Sequence, residues 1–213
     1  MLDLIIKNGQ CYIDGKLKYT DLAIKDGKIR LIGQISEKSK EVINAEGQIV
    51  LPGCIDTQTH FREPGSTDTE DLHSGSRAAI VGGITSVFEM PNTNPPTSNM
   101  IEFQRKLDLA KNRMYCNYAF YFGATADNAN LLANLKDLEG CCGIKLFAGS
   151  STGNLLVAKE DDIDKVFQNS SKVVAVHSED EEILKINKKL IKKSDVHTHP
   201  VWRSVECAIS STR

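Results

Sequence analysis

The first fifty residues alternate between short apolar stretches and turn signals. The runs LDLIIKNG, KYTDLAIKDG, KIRLIGQI and EVINAEGQIV are rich in residues that favour strands. The pairs Asp14-Gly15 and Asp26-Gly27 lie between them and are typical of tight hairpin turns. Because no reactive side chains are grouped here, we predict a small antiparallel β unit with a structural role.

From Ile49 onward, apolar strands alternate with stretches of helical spacing. Buried-type strands are predicted at residues 49–55, 84–91, 114–123, 143–149 and 172–179. Helices are predicted at residues 68–81, 98–112, 127–138, 159–168, 180–191 and 200–213. Five consecutive strand–helix repeats indicate a parallel α/β structure.

The stretch IVLPGCIDTQTHFREPG, residues 49–65, begins apolar and ends with a high density of polar groups. Asp56, Gln58, His60 and Arg62 share one parity, so on an extended strand their side chains would face one side. This grouping indicates a functional site. A polar strand edge followed by a loop is the structural alternative.

Reactive side chains recur at the ends of the later predicted strands. Glu89 and Asn92 lie at the carboxyl end of the second strand, Lys145 at that of the fourth, and His177 at that of the fifth. In parallel α/β folds, sites form at the carboxyl ends of the strands. We therefore expect these side chains to meet those of residues 56–62 at one site.

Composition excludes several classes of function. The 213 residues carry 26 basic and 28 acidic side chains, a net charge of −2, so no basic surface for nucleic acid or an anionic membrane is indicated. We predict no membrane span and no signal peptide. The six cysteines show no CxxC spacing, which indicates reduced thiols in a cytoplasmic protein.

His60 and His177 are candidate zinc ligands because imidazole is a common nitrogen ligand of zinc, although either could be an ordinary core or surface histidine. Lys145 lies between Ile144 and Leu146, where burial would lower its pKa and favour the neutral amine. Such an amine can react with carbon dioxide to give a carbamate that bridges two metal ions. The alternative is a lysine whose ammonium reaches solvent or pairs with an acid.

Four motifs occur in one order along the chain: VLPGCIDTQTHFREPG, EMPNTNPPT, GIKLFAGSSTG and VVAVHSED. Together they resemble dihydroorotases of the long bacterial type, within the amidohydrolase superfamily, over essentially the whole chain. The resemblance implies an α/β fold in which residues 51–213 form the first five β/α repeats of a TIM-type (β/α)8 barrel, an incomplete metal-dependent hydrolase barrel. Residues 1–50 would form part of a small β-sandwich.

The resemblance also implies a role for each candidate residue. The implied ligands of one or two Zn²⁺ ions are Gln58, His60, a carboxylated Lys145 and His177. The implied substrate contacts are His60, Arg62 and Asn92. The guanidinium would hold the substrate carboxylate, for which its planar fork is well shaped.

The implied reaction is the reversible hydrolysis of the cyclic amide of dihydroorotate to N-carbamoyl-aspartate, in de novo pyrimidine synthesis. A bound metal would activate the attacking water and polarise the ring carbonyl. The related allantoinases and hydantoinases act on rings without that carboxylate and typically lack the arginine of FREPG. They are the alternative within cyclic amidohydrolases.

The sequence departs from the family pattern in two places. Gln58 replaces the first imidazole of an HxH pair, and an amide oxygen is a weaker zinc ligand, which leaves the metal count open. The family's catalytic Asp belongs to the eighth barrel strand, which the resemblance puts beyond Arg213. We therefore expect no catalytic base within the chain, and little dihydroorotase activity from the isolated 213 residues.

Two hypotheses follow from these departures. The chain is the N-terminal portion of a dihydroorotase, or it is a non-catalytic homologue, either a remnant or a subunit that binds a carbamoyltransferase partner. A homodimer and a C-terminal half-chain are the other partners that the resemblance implies. The expected ligand is a small molecule, and no nucleic acid or membrane partner is expected.

Overall fold

A computed structural model describes residues 1–151, 154–192 and 195–213. The chain divides into two compact units, Met1–Gly53 and Cys54–Arg213. Among the described residues, no helix is long and apolar enough to cross a membrane. Thr152 and Gly153, the last two residues of the GIKLFAGSSTG motif, lie outside the described residues.

The first unit is a five-stranded sheet. Its strands are β1 (Leu2–Ile13), β2 (Lys16–Lys25), β3 (Lys28–Gly33), β4 (Ser39–Asn44) and β5 (Ile49–Val50). The strands β1, β2 and β3 pair antiparallel as predicted, whereas β4 and β5 run parallel to β1. Asp14 and Asp26 adopt positive φ before their glycines, which confirms the two predicted tight turns. A small core of Leu2, Ile5, Ala23 and Ile35 holds the unit together.

The second unit is built on a parallel sheet of five strands. They are β6 (Cys54–Thr59), β7 (Ile84–Glu89), β8 (Asn117–Gly123), β9 (Cys141–Phe147) and β10 (Val174–His177). Their order in space follows their order in the chain. This order lacks the reversal of doubly wound sheets, and it is that of five successive repeats of a (β/α)8 barrel. The predicted α/β fold is confirmed.

The predicted first strand, residues 49–55, is wrong as a single element. Ile49 and Val50 pair with β1 in the first unit, and the second sheet starts only at Cys54. Pro52 lies between the two segments. Because proline donates no backbone hydrogen bond, it separates β5 from β6.

Helices connect the parallel strands. They are α1 (Leu72–Val81), α2 (Met100–Ala110), α3 (Glu160–Asn169), α4 (Glu181–Asn187), α5 (His199–Trp202) and α6 (Val205–Thr212). The helix predicted at residues 68–81 begins at Leu72, because the Asp71 side chain caps it by accepting from the Ser74 N–H. The segment predicted as helix 127–138 is a 3₁₀ helix at Ala129–Leu135.

The C-terminal helices are shorter than predicted. The predicted helix 180–191 ends as α4 at Asn187 and continues as a 3₁₀ turn, Lys188–Leu190. The predicted helix 200–213 is divided into α5 and α6. Ser204 divides them because its side chain accepts from the Cys207 N–H and caps α6.

The core of the second unit lies between the parallel sheet and its helices. Phe103 of α2, Phe120 and Phe122 of β8, and Ile144 and Leu146 of β9 are all buried there. These residues alternate with positions on the opposite face of each strand, as period-2 strands require. The packing fixes the strands, and therefore the positions at which the polar residues of their carboxyl ends lie.

Candidate functional site at the carboxyl ends of the parallel strands

Four strands bring predicted site residues to the same edge of the parallel sheet. His60 directly follows β6, Asn92 follows β7, Lys145 lies in β9, and His177 is the last residue of β10. In the sheet, Lys145 pairs with Ala175, two residues before His177. All of these strands are parallel, so their carboxyl ends lie on one side.

The His60 imidazole is central to this group. It is partly buried, lies beside the Asn92 side chain, and is near the charges of Arg62 and Lys145. Burial lowers the pKa of His60 most, the Arg62 charge lowers it further, and the neighbouring Asn92 side chain, which favours the charged imidazolium, opposes both effects. His60 is therefore neutral at pH 7, the form in which imidazole binds metals.

Asn92 lies in the loop after β7. A backbone hydrogen bond connects the start of this loop to the end of β6. The Met90 N–H donates to the Thr59 carbonyl at 3.0 Å, just before His60. Asn92 Oδ1 is buried and has no hydrogen-bond partner among the described residues. A buried carbonyl oxygen without a partner is costly, so it is an atom that a ligand or water would satisfy.

The loop after β6 and the loop after β7 are bonded to each other. The Asn94 N–H donates to the Pro64 carbonyl at 2.9 Å. Gly65 has φ +123°, and a Cβ there would lie 2.9 Å from Asn94 Cβ. Only glycine allows this approach of the two backbones. The contact fixes the Arg62 segment relative to the Asn92 segment.

Arg62 is partly buried and adopts φ 61°, in the left-handed region that non-glycine residues seldom occupy. Its guanidinium forms no hydrogen bond or ion pair with the part of the chain that the structure describes. Its charge nevertheless acts on His60 and Glu89. Arg62 is thus a cation at the edge of the sheet with its hydrogen-bond donors available.

Lys145 is 3% exposed, and its Nζ lies 5.0 Å from the centroid of the Phe147 ring. Burial lowers the pKa of Lys145, which increases the share of neutral amine. It enters none of the ion pairs formed within residues 1–151, 154–192 and 195–213. The geometry therefore matches neither structural alternative, a solvent-exposed ammonium or a lysine paired with an acid.

His177 belongs to a second polar group. Its ring stacks on Phe147 at 6.0 Å between centroids, and its Nε2 lies 2.5 Å from Glu179 Oε2 and 3.2 Å from an Arg203 nitrogen. Arg203 Nε also donates to Glu179 Oε1 at 2.8 Å. The hydrogen bond from Arg203 is the main reason why the pKa of Glu179 falls to about 2. These contacts engage Nε2, and Nδ1 takes part in none of them.

The structure does not join Gln58 to this group. Its side chain is exposed, and its backbone N–H donates to Asp56 Oδ1 at 3.0 Å. The pairing of β6 with β7 shifts register between Asp56 and Thr59, and β6 ends at Thr59. This bulge and the positive φ of Arg62 interrupt the side-chain alternation. The extended strand on which residues 56–62 are expected to share a face therefore ends at Thr59, before His60 and Arg62.

Lys106 is a buried cation that was not predicted from the sequence. It lies on α2, is fully buried, donates to the Met90 carbonyl at 2.9 Å and forms an ion pair with Glu89. Its position between Phe103 and Ala110 puts it on the apolar stripe of the helix. A lysine at a core position of an amphipathic helix is the signal that could have identified it.

The donor groups of the site are chemically suited to binding a metal ion. No three His, Cys, Asp or Glu side chains converge on a common point in the described ranges 1–151, 154–192 and 195–213. The predicted ligand set contains only two residues of these four types, His60 and His177, together with Lys145 and Gln58. A neutral imidazole, a desolvated amine and the unpartnered Asn92 Oδ1 are the donor groups available.

Comparison with known proteins gives the same architecture. The description "Amidohydrolase family" belongs to a family model that matches residues 49–210. A dihydroorotase of Methanosarcina mazei is 35% identical over 220 residues, covering 100% of this chain and 48% of that protein. An allantoinase of Escherichia coli is 39% identical over 149 residues, covering 70% of this chain and 33% of that protein.

The solved structure of L-hydantoinase (dihydropyrimidinase) from Arthrobacter aurescens has a TM-score of 0.90 and 26% identity, covering 99% of this chain and 49% of that one. The chain therefore spans about half or less of the length of these relatives. Its family match covers all five parallel strands and the polar residues at their ends. The chain belongs to the amidohydrolase family.

Proposed function

We propose that this chain provides one side of the active site of a metal-dependent cyclic amidohydrolase that acts on dihydroorotate. The observation that carries this proposal is the Arg62 guanidinium, which has no partner among the described residues and lies near neutral His60. A guanidinium in such a place suits a carboxylate on the ligand. Dihydroorotate and N-carbamoyl-aspartate both carry that carboxylate.

The proposed ligands of zinc are His60, Lys145 and His177, with Gln58 as a weaker donor that would need to turn toward them. When bound, zinc supplies an electrophile for the ring carbonyl and lowers the pKa of water. Burial supports carboxylation of Lys145, because only the neutral amine reacts with carbon dioxide. Glu179 and Arg203 would hold the His177 ring through Nε2.

The side chains themselves bind and orient the ring. Arg62 would hold the ligand carboxylate by two parallel hydrogen bonds, and the Asn92 amide would bind the same end of the ligand. The Asn92 side chain, which lies beside the His60 imidazole, would keep the imidazole in place while the ligand enters. A general base, expected on the eighth strand of a complete barrel, would then carry the proton to the leaving amide nitrogen.

The relatives' lengths support a site that is completed by additional strands. We propose that the second half of the barrel comes from further protein, in the same polypeptide or in a partner chain. We also propose a second copy of this chain or a carbamoyltransferase as a protein partner. Zinc dependence, a role in pyrimidine synthesis and a cytoplasmic location are likewise proposed.

An allantoinase-type or hydantoinase-type activity is the second candidate among enzymes. The 39% identity to an allantoinase supports it. This second candidate activity predicts no preference for a ring that carries a carboxylate. The matched ligands dihydroorotate and dihydrouracil differ only in that group, and therefore separate the two candidates.

The test is a titration of the zinc-supplemented chain with each ligand, followed by NMR chemical shifts. We expect dihydroorotate to bind about tenfold more tightly than dihydrouracil, or about 1.4 kcal/mol. Replacing Arg62 by Met should remove the preference. Equal binding of the two rings by the unmodified chain would instead support the second candidate.

Hydrolysis and zinc content test the non-catalytic alternative. We expect the chain alone to hydrolyse dihydroorotate slowly even with zinc, since no base is proposed within it. Turnover like that of a full-length dihydroorotase would contradict this expectation. Zinc at a stoichiometric level supports a preserved site, whereas a chain that binds no zinc supports a remnant.

A further inference from the structure

The carboxylate of Glu63 joins three separate parts of the second unit. Glu63 is 7% exposed and follows Arg62 directly in the chain. Its Oε2 accepts from the Leu72 N–H at 2.9 Å, at the start of α1. Both of its oxygens accept from Arg113, at 2.7 and 3.2 Å. Such a bidentate pair is geometrically specific as well as strong.

Further contacts hold the Arg113 guanidinium in place. Its guanidinium donates to the Leu109 carbonyl at 3.1 Å, in the last turn of α2. It also lies 3.8 Å from Asp71, the residue that caps α1. Arg113 therefore neutralises Glu63 and connects the loop after β6 to the adjoining ends of two helices.

Arg62 lies between two anchored neighbours. On one side, the buried Phe61 ring is so close to Gly75 that a Cβ there would lie 2.4 Å from it, and the Phe61 N–H donates to the Glu89 carboxylate. On the other side is Glu63. The positive φ of Arg62 is unfavourable for a non-glycine residue and persists where the surroundings fix it.

The same arrangement determines which cation pairs with Glu63. Glu63 and Arg62 are adjacent in the chain, and their opposite charges would attract each other if nothing else engaged them. Arg113 occupies both carboxylate oxygens, and the Leu72 N–H occupies one of them as well. Glu63 is thereby held away from Arg62, and the Arg62 guanidinium is left for an external anion.

We propose that Arg113 is a positioning residue that, by binding Glu63, keeps Arg62 unpaired and oriented for the ligand carboxylate. This inference rests on the proposed function of Arg62. A purely structural role, closing the contact between α1 and α2, is the competing explanation. The two differ in what happens when the charge of Glu63 is removed together with that of Arg113.

The experiment compares four variants of the full chain by the same NMR titrations with dihydroorotate and dihydrouracil. Arg113→Gln releases Glu63, so we expect dihydroorotate affinity to fall about tenfold with dihydrouracil affinity unchanged. Arg113→Lys keeps the positive charge, so its affinity for dihydroorotate should fall less. Glu63→Gln/Arg113→Gln removes the competing carboxylate, and its affinity should return to within about threefold of that of the unmodified chain. Arg105→Gln is the matched control, because Arg105 is an exposed residue of α2 that pairs with Glu102.

Each outcome decides between the explanations. A double variant that binds dihydroorotate as weakly as Arg113→Gln, or more weakly, overturns the positioning role. So does an equal loss for both ligands. If Arg113→Gln does not fold, the Arg113→Lys variant with and without Glu63→Gln gives the same comparison. If Arg62→Met leaves the preference for dihydroorotate intact, the proposed function itself fails, independently of Arg113.

Discussion

Lys106 of α2 and Glu89, the last residue of β7, form an ion pair in which neither side chain is more than 1% exposed. Burial raises the pKa of Glu89 to about 7 although the Lys106 charge opposes this rise. Burial also lowers the pKa of Lys106. The pair fixes the end of β7 because Lys106 also donates to the Met90 carbonyl, and Glu89 accepts from the Phe61 N–H beside Arg62.

Replacing Lys106 by Met should destabilise the second unit by about 3–5 kcal/mol at pH 8, because buried Glu89 would lose its ionic partner and would have to take up a proton to stay in the core. Urea unfolding followed by fluorescence of the only tryptophan, Trp202, measures this. The double variant Glu89→Gln/Lys106→Met should recover much of the loss. A single variant as stable as the unmodified chain would contradict the prediction.

The stability of the Lys106→Met variant should change with pH in a defined direction. Without Lys106, the pKa of Glu89 in the folded state rises further above its ordinary value. The folded state then holds a proton that the unfolded state releases, so stability falls as pH rises from about 5 through the folded-state pKa. Glu89→Gln/Lys106→Met should lack this slope. Unfolding curves at several pH values test the sign directly.

The pKa of His60 should respond in opposite directions to its two polar neighbours. Arg62→Met removes a positive charge and should raise the pKa of His60, whereas Asn92→Ala removes a neighbouring amide that favours the charged form and should lower it. NMR titration of the metal-free chain measures both. Shifts in the same direction would contradict the arrangement of the three side chains described above.

Lys145→Ala should lower the zinc content of the chain, and labelled bicarbonate should give a carbamate signal in the unmodified chain that this variant lacks. Both expectations follow from a buried amine with a lowered pKa beside the proposed ligands. Zinc analysis and ¹³C NMR provide the measurements. Lys165→Ala, at an exposed lysine on α3, is the control and should change neither.

Gly75→Ala should destabilise the second unit by about 1–3 kcal/mol, because the new methyl group would overlap the Phe61 ring. Gly82→Ala, at the end of the same helix, meets only ordinary contacts and should change stability by less than about 0.5 kcal/mol. Urea unfolding compares them. Equal effects would mean that the packing of Phe61 on Gly75 does not support the loop after β6.

Much of the fold could be predicted from the sequence because the period of apolar residues changes at the boundary between the two units. The five parallel strands and the positions of Asn92, Lys145 and His177 near their ends follow from that period and from β/α alternation. The shift of the first strand to Cys54 was missed because Pro52 lies within a continuous apolar run.

The remaining features depend on contacts between distant residues. The bulge at the end of β6 and the positive φ of Arg62 have no local glycine to indicate them. The pairing of Glu63 with Arg113 spans 50 residues, and that of Glu179 with Arg203 spans 24. Periodicity reports which face of an element is buried, but it does not report which charged partner lies there.

The bond from the Asn94 N–H to the Pro64 carbonyl has a consequence for protein engineering. The loops after β6 and β7 share a backbone contact that only a glycine at position 65 permits, so each loop has the length and course that the other requires. Grafting one of them alone from an allantoinase would leave its new ends without this contact. A change of ring preference by loop exchange should therefore succeed only when the two segments are transferred together as a single cassette.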